Sequence, residues 1–367
     1  MGGRQVVVLV VLIGVAGLVC GDSAFASESW RADRALGLPK RLTLEVDHRT
    51  RYEFLDGQFR IRGRRGRDAW TVFRIRLRAR LALTEWIILG GELQDSRVSG
   101  ATQDAFVTPG VVNPVELLQA YAELSGRAPW GGNQVEKLGR FTLDLGSTRL
   151  VARDVFANSA RSFTGAQWHW NSESGAGLRV FYTLPVQRRP NNRSDLRANQ
   201  IEFDDEDFRF QFWGIFFEDA LPWSSEGRLE LYLFGLHDDR LLKRDLYTPG
   251  FRIFRKPAKG RIDYEIESVL QFGSRKRITG THNHFAHFHH VEVGYTFDVP
   301  GSPQILALYD YASGNEDSLD DDSGRFDTLF GSSAARSRSK SATIRCPGTC
   351  ASKRVMPTFS PAISSRT

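Results

Sequence analysis

The chain has 367 residues, with 49 Lys plus Arg against 43 Asp plus Glu and a formal net charge of +6. Hydrophobic residues make up 41% and charged residues 25%, which excludes a wholly disordered or collagen-like chain. Beyond residue 20 no run of about 18 apolar residues occurs, so a bundle of membrane-spanning helices is excluded, while membrane-spanning strands stay open. The basic balance invites a nucleic-acid partner, but only eight of the 49 basic residues are Lys. The charge is therefore almost all guanidinium, the group that pairs carboxylates and phosphates in a bidentate, oriented way.

The N-terminus reads as a leader. Arg4 supplies a positive charge, Val6 to Val19 form an apolar run, and Ala24-Phe25-Ala26 places small residues where a signal peptidase reads, so cleavage is expected after Ala26. A lipidated Cys20 is disfavoured because Val19 is bulky for the position before it, and the run is short for a retained anchor. A chain that leaves the cytoplasm has no nucleic acid to meet. Residues 27–345 contain no cysteine, and a closed barrel pairs its edges without disulfides.

In chain order, the first repeated feature is a period of two. Leu42, Leu44 and Val46 alternate with Thr43, Glu45 and Asp47. From Phe73 to Leu83 the odd positions are apolar, and Arg74, Arg76, Arg78 and Arg80 fill the even ones. Gln119, Tyr121 and Glu123 alternate with Leu118, Ala120, Ala122 and Leu124; Phe208, Phe210 and Phe212 oppose Asp207, Arg209 and Gln211. Ile262, Tyr264, Ile266, Leu270 and Phe272 oppose Arg261, Asp263, Glu265, Glu267 and Gln271. The pattern predicts about twelve strands, near 41–55, 69–83, 86–97, 116–125, 134–144, 162–171, 175–185, 207–218, 226–238, 260–273, 283–298 and 303–314. The stretches Pro185 to Asn199 and Asp238 to Lys259 read as long loops, and Pro300 to Pro303 as a tight turn.

A water-soluble sandwich also alternates. In a sandwich the polar face meets bulk water, where short polar residues serve as well as any. Here the polar face carries Arg, Glu, Asp, Gln and Tyr on long segments that match the ~9–11 residues of a tilted membrane strand. Trp70, Trp86, Trp130, Trp223, Tyr295 and Phe297 gather toward segment ends, as interfacial girdles do. The expected fold is all-β, a transmembrane antiparallel up-and-down β-barrel over residues 27–330, located in the outer membrane of a Gram-negative cell.

The segment Gly139-Arg140-Phe141-Thr142-Leu143-Asp144-Leu145-Gly146-Ser147-Thr148-Arg149-Leu150-Val151, followed by Asn158, Arg161-Ser162-Phe163 and Gly165, resembles the signature of the alginate export outer-membrane porin family. Phe141 stands where that pattern has Gln, and Thr164 where it has Asp. Gly91 to Arg97, Leu118 to Tyr121, Gly294 to Phe297, Tyr311 to Gly314 and Arg325 to Phe330 extend the resemblance in order. It implies a monomeric barrel of about 18 strands whose lumen passes an anionic exopolysaccharide, such as alginate or another uronate polymer. It also implies outer-membrane lipid, the barrel-assembly machinery and periplasmic export components as surroundings and partners. From the residues themselves, the ladder Arg74, Arg76, Arg78 and Arg80 spaces guanidinium groups ~6.6–6.8 Å apart on one face, a row of weak equal sites along which a polyuronate moves stepwise. Arg140, Arg149 and Arg161 extend the path, and Glu92, Gln94, Gln119 and Glu123 hold arginines and bind sugar hydroxyls. Structural salt bridges within a barrel wall are the competing assignment. A general anion or sugar porin, a barrel enzyme and a binding protein are the alternative functions.

No cofactor, metal site or catalytic centre is expected. His282, His284, His287, His289 and His290 set imidazoles at two-residue spacing but without cysteine, and they read as structural. Asn315, Glu316, Asp317, Asp320, Asp321 and Asp322 do not follow the order of an EF-hand loop. No Gly-x-Ser-x-Gly elbow appears, which leaves only a scattered triad open to an enzyme. Residues 328–367 contain seven basic residues, nine serines and no Asp or Glu, so residues 1–327 hold 42 basic against 43 acidic residues. The basic, Ser/Arg-rich segment 331–367 is expected to be an aberrant tail, disordered or the product of a frame shift just after Phe330, with the last barrel strands missing. A Cys346/Cys350 pair in redox or metal work is the alternative.

Overall fold

The computed structural model describes residues 30–56, 67–102, 105–240, 243–277, 280–314 and 324–332, and the short strands Leu9–Leu12 and Ala342–Arg345. The elements in order are β1 (Leu9–Leu12), β2 (Trp30–Arg31), α1 (Ala32–Ala35), β3 (Leu42–Asp56), β4 (Arg67–Ala82), β5 (Ile87–Ser99), β6 (Asn113–Arg127), β7 (Asn133–Phe141), β8 (Phe163–Asn171), β9 (Gly177–Pro185) and α2 (Arg193–Arg197). They continue as β10 (Phe210–Leu221), β11 (Ser224–Asp238), β12 (Arg244–Arg255), β13 (Arg261–Arg277), β14 (Gly280–Thr296), β15 (Gln304–Ala312) and β16 (Ala342–Arg345). From β3 to β15 the hydrogen-bonded order follows the chain order, as in an up-and-down antiparallel meander. The cleavage site expected after Ala26, the acidic loop Asn315 to Asp322 and the cysteines Cys346 and Cys350 lie outside the described residues. No helix among the described residues is long and apolar enough to cross a membrane.

Each of the twelve segments predicted from period two contains one strand. The stretch from Asp238 to Lys259, read above as a loop, instead contains β12. Pro249 and Gly250 disguise it, since proline removes a ladder donor and the pair ordinarily marks a turn. The strand survives because its register with β13 is the same on both sides of the proline, Tyr247 facing Phe272 and Gly250 facing Val269. The Tyr232 ring fills the space a Cβ on Gly250 would take, and Gln271 Nε2 donates to Thr248 Oγ1 at 3.1 Å. Tyr121 covers Gly90 across β5 and β6 in the same manner. The stretch after Pro185 also contains more than a loop: α2 forms one turn, capped where Asn192 Oδ1 accepts from Asp195 N at 3.0 Å.

From β4 to β10 the connections alternate in length: residues 83–86, 128–132 and 172–176 are short, whereas 100–112, 142–162 and 186–209 are long; from β10 to β15 every connection is short, from two to seven residues. The described residues form two compact units, one drawn from within 1–215, 235–243 and 328–335 and the other from within 216–234, 244–327 and 336–367. In the first unit the long connections fold back onto the polar face of their strands. Trp70, Val72 and Val98 pack with Ala105, Val107, Val112 and Leu196 from those connections into a small apolar core. In the second unit Arg252 bridges Glu230 and Glu265, and Asp327 accepts from Arg244 at 2.5 Å and from Arg275.

Gly273 in β13 takes φ +145°, and a Cβ there would collide with the carbonyl oxygen of Asp245 on β12. Gly273→Ala is expected to cost about 1–3 kcal/mol of strain. The temperature at which the folded species loses its fast gel mobility in mild detergent should fall; an unchanged temperature would show that the strand gives way freely.

Candidate functional site

The faces of β4 show how this sheet is used. Phe73, Ile75 and Leu77 are 38%, 50% and 38% exposed, whereas Arg74 and Arg76 are 3% and 9% exposed. The same inversion holds on β13, where Ile262, Ile266, Leu270 and Phe272 are exposed while Asp263, Glu267 and Gln271 are buried. A sandwich in water does the reverse, because burying apolar area is its main source of stability. Apolar side chains turned outward and charged ones turned inward are the arrangement of a strand that faces hydrocarbon.

Register then fixes which charges meet on the inner face. β3 places Glu45, Asp47 and Arg49 opposite Arg78, Arg76 and Arg74, and β5 places Glu92, Gln94 and Ser96 opposite the same three arginines. Glu92, 1% exposed, is the hub. It takes Arg78 Nε at 3.3 Å, Arg153 Nη2 and Gln119 Nε2, and Arg76 Nε lies 3.9 Å away. Buried carboxylates are tolerated when paired and hydrogen-bonded in this way.

The four-arginine ladder splits into two halves. Arg74 and Arg76 share Asp47, and Arg74 also donates to the Val155 and Ala157 carbonyls at 3.1 and 3.2 Å. Arg49, directly opposite Arg74, donates to Val155 O at 3.0 Å and Ala157 O at 2.8 Å, and Arg51 donates to Phe156 O at 2.9 Å. Three arginines thus grip one backbone turn of the 142–162 connection, whose carbonyl dipoles relieve the like-charge pair Arg49/Arg74. Arg78 and Arg80 are different: their side chains are 40% and 49% exposed, paired to Glu45 at 3.2 Å and to Glu123 at 2.8 Å. Lys137 joins them, 2.7 Å from Glu123 and 4.3 Å from the centre of the Tyr121 ring.

The remaining predicted residues divide by place. Glu92, Gln119 and Glu123 stand with the ladder. Gln94 clamps the 142–162 connection, accepting from Ala160 N at 3.1 Å and donating to Ser159 Oγ at 3.2 Å, while Gln119 Oε1 accepts from Thr142 N at 3.1 Å. Arg140 is tied away from the ladder, to Glu116 at 2.6 Å and Glu206 at 2.7 Å. Arg149 and Arg161 lie where the connection meets the segment around Phe330: Phe330 N donates to Leu150 O at 2.9 Å, and Arg161 Nη1 to Gly331 O at 3.1 Å. Phe330 packs there among Phe163, Phe210 and Phe212. Of the two departures from the family pattern, Phe141 is fully buried and Thr164 Oγ1 donates to Glu206 at 2.5 Å. Sequence reasoning passed over Arg49, Arg51, Lys137 and Arg153. The alternation on β3 marks the first two, but nothing local marks Arg153.

In the connection after β9, Asp204 Oδ1 accepts from Arg189 N and Asn113 Nδ2, both at 2.7 Å, and its backbone N donates to Glu116 at 3.0 Å. Burial, aided by the charge of Glu116, pushes the Asp204 carboxyl up to about 7. An acid whose pKa is raised by folding favours the folded loop below its ordinary value, and that contribution is lost as pH climbs through the raised value. Hydrogen-exchange protection of 186–207, corrected for intrinsic rate, should therefore fall between pH 5 and pH 8, and Asp204→Asn should remove the change.

An all-β, up-and-down chain with a charged inner face and an apolar outer one belongs to the class of outer-membrane strand proteins. The model of the alginate export family matches residues 40–342, and the chain belongs to that family of outer-membrane porins. No curated protein matches it.

Proposed function

We propose that the chain is an outer-membrane porin that passes an anionic uronate polymer along its inner face, with Arg78 and Arg80 as the open contacts and Lys137 beside them. The reading rests on the inverted burial of β4, which turns Ile75 toward hydrocarbon and arginine inward. Carboxylates of the polymer exchange with Glu45 and Glu123 for the guanidinium groups, so each contact is made and released at small cost. Arg74 and Arg76 set the wall that holds the 142–162 connection. Arg140, Arg149 and Arg161 keep the folded-back segments in place beside the lumen. The working form is a monomer in outer-membrane lipid, delivered by its leader and the barrel-assembly machinery, with a polysaccharide supplied from periplasmic export components. In planar bilayers under a salt gradient, the reversal potential should report anion preference, and Arg78→Glu with Arg80→Glu should move it toward cations. A potential unmoved by the double charge reversal would remove these two residues from the path.

A further inference from the structure

The histidines between residues 282 and 290 divide between the two faces of β14. His284 and His290 turn inward, to Gln271 Oε1 at 2.9 Å and Asp310 Oδ1 at 2.6 Å. His287 and His289 share parity with the exposed Phe285, Val291 and Val293, and thus lie on the outward face. Ser268 on β13 stands directly opposite His289 and shares parity with the exposed Ile266 and Leu270. Ser268 Oγ lies 3.0 Å from His289 Nδ1, and His289 Nε2 lies 3.0 Å from His287 Nδ1. Tyr311 stacks beside both imidazoles, with ring centres 5.4 and 6.4 Å away.

We propose that Ser268, His289 and His287 form a nucleophile, a base and an orienting group on the outward face, acting on the acyl ester of a lipid. Nucleophile to base and base to orienter are both within hydrogen-bond reach, the geometry that activates a serine. When Ser268 donates to Nδ1, His289 carries its proton on Nε2 and donates to His287. Ser268 Oγ then attacks the ester carbonyl carbon while its proton passes to His289 Nδ1. The bond from that carbon to the alkoxy oxygen breaks, and the departing alcohol takes the proton from His289. Water cleaves the acyl-serine ester by the same route, releasing a fatty acid and restoring the hydroxyl. The class of ester follows from the surroundings: Ile266, Leu270, Phe285 and Tyr311 are exposed apolar neighbours, which an acyl chain covers and a water-soluble ester does not. The proposal rests on the reading of this face as lipid-facing and is independent of what the inner face transports.

The continuous pairing of β13 with β14 commits the backbone around Ser268 to the ladder, so activation comes from the base and not from a backbone oxyanion hole. Covalent labelling is accordingly the sensitive readout. The full chain, reconstituted in phospholipid vesicles, is treated with a long-chain alkyl fluorophosphonate and the adducts are mapped by mass spectrometry. The expected result is an adduct on Ser268 that is absent in Ser268→Ala and forms about 100-fold more slowly in His289→Gln, the scale of general-base catalysis. His287→Ala should label at a rate between that of the unaltered chain and that of His289→Gln. Absence of a Ser268 adduct on protein that still conducts, or an equal labelling rate in His289→Gln, would overturn the proposal. Loss of conductance with Ser268 labelling intact would instead strike the porin reading alone.

Discussion

Glu92→Ala is expected to cost the folded chain about 3–5 kcal/mol, the scale for removing one partner of a buried ionic network. Glu92 is the shared acceptor of Arg78, Arg153 and Gln119, and only Arg78 has substantial access to water. Without it Arg153, whose side chain is 10% exposed, keeps its charge in a site with no carboxylate in its place. Glu92→Gln should fall short of this loss because it retains oxygen acceptors. Glu123→Gln should cost less, about 1 kcal/mol, since it keeps oxygen and nitrogen where the carboxylate stood and its partners Arg80 and Lys137 both reach solvent. Unfolding in urea, followed by tryptophan fluorescence in mild detergent micelles, orders the three variants. Equal losses for Glu92→Ala and Glu123→Gln would show that the hub is not the anchor of the 142–162 connection.

The second large effect separates the halves of the arginine ladder. Arg78→Ala with Arg80→Ala should weaken block by a uronate oligomer about 10–100-fold, as expected for two charge-assisted contacts of about 0.7–1.4 kcal/mol each. Arg78→Ala takes one donor from the buried Glu92, but Glu92 keeps Arg153 and Gln119 and both removed side chains are partly open to solvent, so the fold should survive with a loss smaller than that of Glu92→Ala. Arg74→Ala with Arg76→Ala should do the opposite. It removes the partners of Asp47 and two of the donors that grip residues 155 and 157, so the folded species should be lost before any change in block is measurable. Block that weakens equally in both double variants, with folding equally intact, would restore the ladder to four equivalent sites.

Much of this was legible because a period of two carries both fold and facing. The arginines at 74, 76, 78 and 80 announce a strand with one charged face, and the apolar residues between them face outward, the facing that the length of the segments and the large charged side chains favoured over a sandwich. What the pattern does not encode is contact across long stretches of chain. Arg74 meets the carbonyl of Val155, and Glu92 meets Arg153, only because the 142–162 connection folds back onto the strands. The division of the ladder into buried and open halves was therefore invisible in β4 itself. The β12 strand was hidden for a local reason: Pro249 and Gly250 mimic a turn, and the covering Tyr232 comes from a strand whose partner cannot be read before the register is known. The histidine cluster looked like one group in sequence. Alternation sends His287 and His289 to one face and His284 and His290 to the other.

The most direct measurement is single-channel recording of the reconstituted chain with a uronate oligomer added to one side. The account predicts a conducting channel whose current is interrupted by the oligomer in a concentration-dependent manner, while a neutral oligosaccharide of the same length leaves it open. Equal interruption by the charged and neutral oligomers, or no conductance from correctly folded protein, would contradict it.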